Sequence, residues 1–199
     1  MMELIRRARE VLSIAKAADV ARRVAVMNFF DGIMVGSGLV LGMFLSGTFS
    51  YQAALMTVLS VAVGSAISGF TGAWIAERIE QEHRLRKLEE AILADLKGTL
   101  YQRVARSAPV LVGTVNGLSA AFGVGIVAMP FLLSLLLNAD PLIGTYASVT
   151  VSLGLLVTVG LALERALHLR TVFAVKRLLT AGLATMLLVL AMDLLVRAL

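Results

Sequence analysis

Cysteine is absent from this chain, which removes disulfides, thiolate metal ligands, iron–sulfur clusters and thiol nucleophiles from consideration. Only two histidines occur, His83 and His168, and both lie in charged segments with no zinc-ligand spacing and no nucleophile beside them. There is no glycine-rich phosphate loop and no Gly-x-Ser-x-Gly elbow. The sequence therefore offers no basis for an enzyme, and no cofactor is expected. Charge is missing over long stretches as well: 32–76, 107–139 and 141–163 contain no Asp, Glu, Lys or Arg.

What fills those stretches is apolar. Hydrophobic residues make up 59% of the 199 positions and mean hydropathy is +0.90, well above the roughly 45–50% apolar content of a soluble domain. A helix needs about 20 apolar residues to cross the hydrocarbon layer. The uncharged runs, the first of which is long enough to cross twice, predict spans at 24–46, 51–76, 109–137, 141–163 and 174–196. The expected fold is an all-α integral membrane protein with five transmembrane helices and a short cytoplasmic helical insertion, 77–106, after the second span.

The eighteen Lys and Arg orient it, because basic residues beside short loops stay on the cytoplasmic side. Six precede the first span (Arg6, Arg7, Arg9, Lys16, Arg22, Arg23), and seven lie between spans two and three (Arg78, Arg84, Arg86, Lys87, Lys97, Arg103, Arg106). Four more separate spans four and five (Arg165, Arg170, Lys176, Arg177), and only Arg197 falls opposite. This pattern predicts a cytoplasmic N-terminus and an outside C-terminus in a multi-pass protein of the cell membrane. Contact with lipid headgroups accounts for the net charge of +5 without a nucleic-acid partner. Residues 1–23 lack the apolar core and cleavage site of a signal peptide and are expected to remain in the mature chain. Leu4, Ile5, Ala8, Val11, Leu12 and Ala15 recur there at helical spacing, predicting an amphipathic helix on the inner membrane surface, and the whole chain is expected to form a single membrane domain, 1–199.

Turn chemistry supports the span count. Ser46-Gly-Thr-Phe-Ser50 reads as a short hairpin, Asn138-Ala-Asp140-Pro141 as an N-cap followed by proline at the first helical position, and Ser107 with Pro109 as the opening of span three. The stripe Leu85, Leu88, Ile92, Leu96 extends span two as one long helix to about Lys97, with Gly98 ending it. Asp31-Gly32-Ile33 and Asn116-Gly117-Leu118 resemble each other, as do Ala76-Glu77-Arg78 and Leu163-Glu164-Arg165, at offsets of about 85 and 87 that suggest a parallel duplication of two helices. Small residues recur every four positions at Gly32 and Gly36, at Gly64, Ser68 and Gly72, and along Gly113, Gly117, Ala121 and Gly125, faces suited to close helix contact within one subunit or between two.

The residue that stands out is Asp31, placed within the first span. A carboxylate at the bilayer centre costs about 2.5–3.5 kcal/mol on insertion scales, so it marks a polar path or a partner by default. Its plainer use is as a protonated or hydrogen-bonded structural group. Met27, Asn28 and Met34 lie at i−4, i−3 and i+3, a mixed oxygen and sulfur set suited to a borderline divalent cation. The methionines alone read more simply as lipid or core contact, because Met is common in apolar helices. Asn116 is the other strongly polar residue deep in a span, and Glu77 and Glu80 begin a run of carboxylates at the inner mouth. Glu80 with Arg84, and Glu82 with Arg86, have the spacing of surface ion pairs, and Asp193 with Arg197 that of a helix-end anchor.

Arg22-Arg23-Val24 followed by Phe30-Asp31-Gly32-Ile33, and span three from Ser107-Ala-Pro109 through Phe122-Gly123 to Met129-Pro130, resemble the vacuolar iron transporter family. The resemblance implies a homodimer with its ion path lined by span one, proton-coupled export of Fe²⁺ or Mn²⁺ from the cytoplasm as the transported substrate, and Asp31 as the pore carboxylate. The chain departs from the family at Ser65-Ala-Ile-Ser-Gly-Phe70, where the family carries Met and Glu near a Gly, and in an insertion far shorter than the three-helix metal-binding domain of plant members. The competing classes are a non-transporting membrane scaffold and a transporter of another small solute.

Overall fold

The structure is a computed structural model that describes residues 2–166 and 173–198, with side chains over 18–99, 101–164 and 174–198. The described residues form five helices and no strand: α1 (Met2–Leu45), α2 (Tyr51–Ile92), α3 (Leu100–Leu136), α4 (Pro141–Ala166) and α5 (Phe173–Ala198). Each contains a stretch long and apolar enough to cross a membrane. A multi-pass membrane protein accounts for this, because every backbone polar group in hydrocarbon must be satisfied within the helix. α1 is continuous from Met2 into the first span, with no break. The apolar stripe expected at its start, together with Arg165, His168 and Arg170, lies outside the described side chains.

Helix ends follow from local chemistry. After α1, Gly47 takes φ +71° while Thr48 N–H donates to the Met43 carbonyl (2.9 Å) and Gly47 N–H to that of Phe44 (3.1 Å), a Schellman closure. α3 ends the same way with Asn138 at φ +51°, and the Asp140 carboxylate then accepts Leu142 N–H (2.8 Å) to cap α4 as expected. Two boundaries differ from expectation. α2 stops at Ile92, five residues before Lys97, because Leu93 adopts φ +52° and Ala94 N–H closes onto the Glu89 carbonyl (3.3 Å). The Glu89 carboxylate holds the turn by accepting Leu96 N–H (3.0 Å). α3 starts at Leu100, well before Pro109. Thr99 and Gln102 cap it reciprocally: Gln102 N–H donates to Thr99 Oγ1 (3.4 Å), and Gln102 Oε1 accepts Gly98 N–H (3.0 Å). Ser107 therefore lies inside the helix, donating to the Val104 carbonyl (3.2 Å).

The chain divides into two compact units, Met1–Asn28 with Ala66–Ser119, and Phe29–Ser65 with Ala120–Leu199. In the first, α2 and α3 touch backbone to backbone. A Cβ on Gly117 would collide with the Ala66 carbonyl oxygen, and one on Gly113 would lie 2.9 Å from the Phe70 carbonyl oxygen. Glycine is required at both positions because the obstructing atoms are backbone and cannot rotate away.

In the second unit, a Cβ on Gly32 would collide with the Ala120 carbonyl oxygen, and one on Gly123 would meet the Phe29 carbonyl oxygen at 2.7 Å. Val40, Met43, Ala54, Val58, Val124, Ala128, Phe131 and Leu135 form the apolar core beside this crossing. Pro130 has no N–H to donate within α3, and the next amide, Phe131 N–H, donates to buried Ser148 Oγ of α4 (3.2 Å). Buried Glu164 at the end of α4 accepts Ala174 N–H (3.0 Å) and Val175 N–H (3.3 Å), supplying two of the orphan amides at the start of α5 with a partner.

Candidate functional site

Asp31 lies near the midpoint of the apolar segment Ala18–Leu45 of α1. At a rise of about 1.5 Å per residue this puts it roughly 20 Å from either end. Its flanks, Gly32 and Ile33, are buried, while Asp31 itself is exposed. Met27 (59% exposed) and Val35 (44%) stand one turn before and after it on the same outward stripe. The Asp31 carboxylate makes no hydrogen bond or ion pair with any described residue. A carboxylate that would cost a few kcal/mol to hold ionised in lipid thus has no partner among the described residues.

The other expected ligands spread around α1 and along the neighbouring helices. At about 100° per residue, Asn28 and Met34 lie some 120° apart around the helix when seen down its axis. Asn28 Nδ2 donates to the Val24 carbonyl (3.2 Å) and, in a short bond, to Asn116 Oδ1. Asn116 Nδ2 in turn donates to the Gly69 carbonyl of α2 (2.8 Å). Since each Nδ2 also meets a backbone carbonyl, which can only accept, the chemistry fixes the orientation of both amides. Asn116 is 7% exposed. It forms the middle of an amide chain linking α1, α3 and α2 within the first unit, and Asn28 Oδ1 has no partner among the described residues. Met34 is half-buried, its Sδ 3.9 Å from where a Cβ on Gly182 of α5 would stand.

Glu77 is 8% exposed and accepts Gln81 Nε2 (2.6 Å), one turn along α2, so Arg78 is not its partner. Arg78 instead donates through Nε to Glu82 (3.2 Å) and stands 5.4 Å from the Trp74 ring centroid. Glu80 accepts Arg84 Nε (2.7 Å) on an exposed face. Glu82 thus pairs backward with Arg78 rather than forward with Arg86, and Asp193 binds Arg197 (2.9 Å) as its spacing predicts. Among the described residues no three His, Cys, Asp or Glu side chains come together in a way that could hold a metal ion.

The pairing of Asn28 with Asn116 was missed by sequence reading, although both are amides isolated in apolar helices and each needs a partner there. Glu164 was noted only as part of a duplication; its signal was a carboxylate at the last turn of a span, just before the next helix.

Comparison with protein families, with curated proteins and with solved structures finds no match to this chain.

Proposed function

We propose that this chain is a transporter that exports a divalent metal ion, Fe²⁺ or Mn²⁺, from the cytoplasm by proton antiport, along a path lined by α1 in a homodimer. The observation that carries this is Asp31, an exposed, membrane-depth carboxylate with no partner among the described residues. Its outward stripe holds the Met27 thioether, and the Asn28 carbonyl oxygen open to a ligand lies one turn away on the same helix. One copy offers too few donors for an ion that prefers about six ligands, and a second copy doubles the set. Protonation of Asp31 from the outer side would release the ion and return the charge to neutrality.

Dimer contact is also supported by the α2 stripe Gly64, Ser68, Gly72. Unlike Gly32 of α1 and Gly113 and Gly117 of α3, Gly64 and Gly72 have nothing among the described residues within 4 Å of a Cβ, so a foreign helix backbone has room to approach. Glu77 and Glu80, already engaged by Gln81 and Arg84, are left to shape the entrance. Asn116 serves the scaffold of the path rather than the ion.

Purified protein in liposomes is expected to carry Fe²⁺ or Mn²⁺ against a proton gradient, with Asp31→Asn and Asp31→Ala abolishing flux while the fold persists. Wild-type flux in either variant refutes the role of Asp31. A non-transporting scaffold is the second function to weigh, favoured by the lack of a three-ligand cluster among the described residues. It predicts no binding heat with Fe²⁺, Mn²⁺, Zn²⁺ or Mg²⁺, whereas a carrier of a different solute predicts flux of that solute and no metal selectivity.

A further inference from the structure

Where α2 and α3 run side by side in the first unit, a groove of about 510 Å³ opens between them. It is lined by Trp74, Arg78 and Glu82 from one helix and Gln102, Arg106 and Val110 from the other. Both helices change character at this level. α2 carries no charge over 51–76 and its first arginine is Arg78; α3 carries its last charge at Arg106 and none over 107–136. The contacts between Gly113 and Phe70 and between Gly117 and Ala66 fix this register, so the two polar boundaries coincide across the groove.

We propose that this groove binds the phosphate of an anionic phospholipid, with Arg78 and Arg106 as its two cationic arms. Arg106 is exposed and makes no hydrogen bond or ion pair with a described residue. Arg78 gives Nε to Glu82, and the cation–π contact with Trp74 holds its guanidinium at the groove wall. Glu82 is the one carboxylate in the lining and is already engaged by Arg78, so the groove keeps a net positive charge. A guanidinium presents several donors in a fixed fork matched to phosphate oxygens. Apolar Trp74 and Val110 border it toward the uncharged ends of the helices, where an acyl chain would continue. Amphipathic aromatic and basic residues together are the usual composition of a headgroup-level site. A lipid is favoured over a soluble phosphate because the groove sits at the edge of the apolar stretches, where headgroup phosphates are concentrated. The site is independent of Asp31 and of the transport function.

The test uses the full chain in detergent micelles, with retained lipid counted by native mass spectrometry as palmitoyl-oleoyl phosphatidylglycerol or phosphatidylcholine is titrated in. Phosphatidylglycerol is expected to bind in preference, and Arg106→Gln to weaken it about tenfold, the loss of one charge-assisted hydrogen bond pair. Arg86→Gln, which removes an exposed charge elsewhere on α2, is expected to change it less than about twofold. Arg106 has no partner among the described residues, so its replacement leaves the fold intact; Arg78→Gln repeats the test from the opposite wall. The site is overturned if Arg86→Gln and Arg106→Gln weaken binding equally, if phosphatidylcholine binds as well as phosphatidylglycerol, or if millimolar inorganic phosphate displaces the lipid.

Discussion

Replacing Asn116 by Ala tests whether this residue is a helix tie or an ion ligand. Two bonds disappear at once, the short one from Asn28 Nδ2 and the 2.8 Å bond to the Gly69 carbonyl. Interhelical hydrogen bonds in membrane proteins contribute on average about 0.6 kcal/mol, with a maximum near 1.7. Asn28 keeps the Val24 carbonyl as an acceptor, yet one of its amide hydrogens is stranded in a half-buried place, which adds up to about 1 kcal/mol. The expected total is roughly 2–3 kcal/mol for Asn116→Ala and about 1 kcal/mol for Asn28→Ala. The double variant should fall short of additivity by about 0.6–1 kcal/mol, since the pair shares one bond. Reversible unfolding of the full chain in mixed micelles on addition of dodecyl sulfate measures all three. With the same variants reconstituted in liposomes, the concentration of Mn²⁺ giving half-maximal flux should stay unchanged for Asn116→Ala. A loss under 0.5 kcal/mol, strict additivity, or a large shift in that concentration would each show that the amide chain does not do what its geometry implies.

Gly117→Ala should destabilise by about 1–3 kcal/mol or block folding, because its new methyl meets a backbone oxygen; Gly64→Ala, facing open space, should leave monomer unfolding unchanged or slightly improved while weakening any dimer, read by thermal scans and crosslinking yield. Glu164→Ala removes the acceptor for Ala174 and Val175 and should cost about 1 kcal/mol, with hydrogen exchange rising first at those two amides. The Lys97 ammonium and backbone N–H beside Asp95 hold its carboxyl below the ordinary aspartate range, and Asp95 correspondingly raises Lys97. A depressed carboxyl stabilises the turn fully at neutral pH and loses its effect as pH falls through its lowered value; carbon NMR of Asp95 should show this, and Lys97→Ala, which removes the ammonium but keeps the backbone N–H, should move the titration part of the way back toward the ordinary range.

Much of the fold was legible because hydrocarbon imposes a coarse code. The uncharged runs set all five helices, and Asp140 before Pro141 supplied its cap as read. Legibility failed where the deciding signal was weak or ambiguous. Leu93 carries a left-handed backbone that Gly or Asn would have announced. Ser107 before Pro109 imitates a helix start, while the stronger Thr99-x-x-Gln102 capping pattern lay further upstream. At the candidate site, spacing on α1 grouped Asp31 with Asn28 and Met34, but periodicity says nothing about which neighbour each side chain meets. Asn116 claimed Asn28 and α5 took in Met34, leaving Asp31 with Met27 on the outside.

The turn between α2 and α3 has a practical meaning. Leu93 is 93% exposed and Gly98 has open space around it, at the tip of two helices that extend well beyond their apolar stretches. Lengthening such a tip costs only a few tenths of a kcal/mol of closure entropy for each modest addition. A fluorescent reporter, a crystallisation chaperone or an extra folded module could be spliced between Ala94 and Lys97 and ride on a stalk already built for it, with the intramembrane helices left undisturbed.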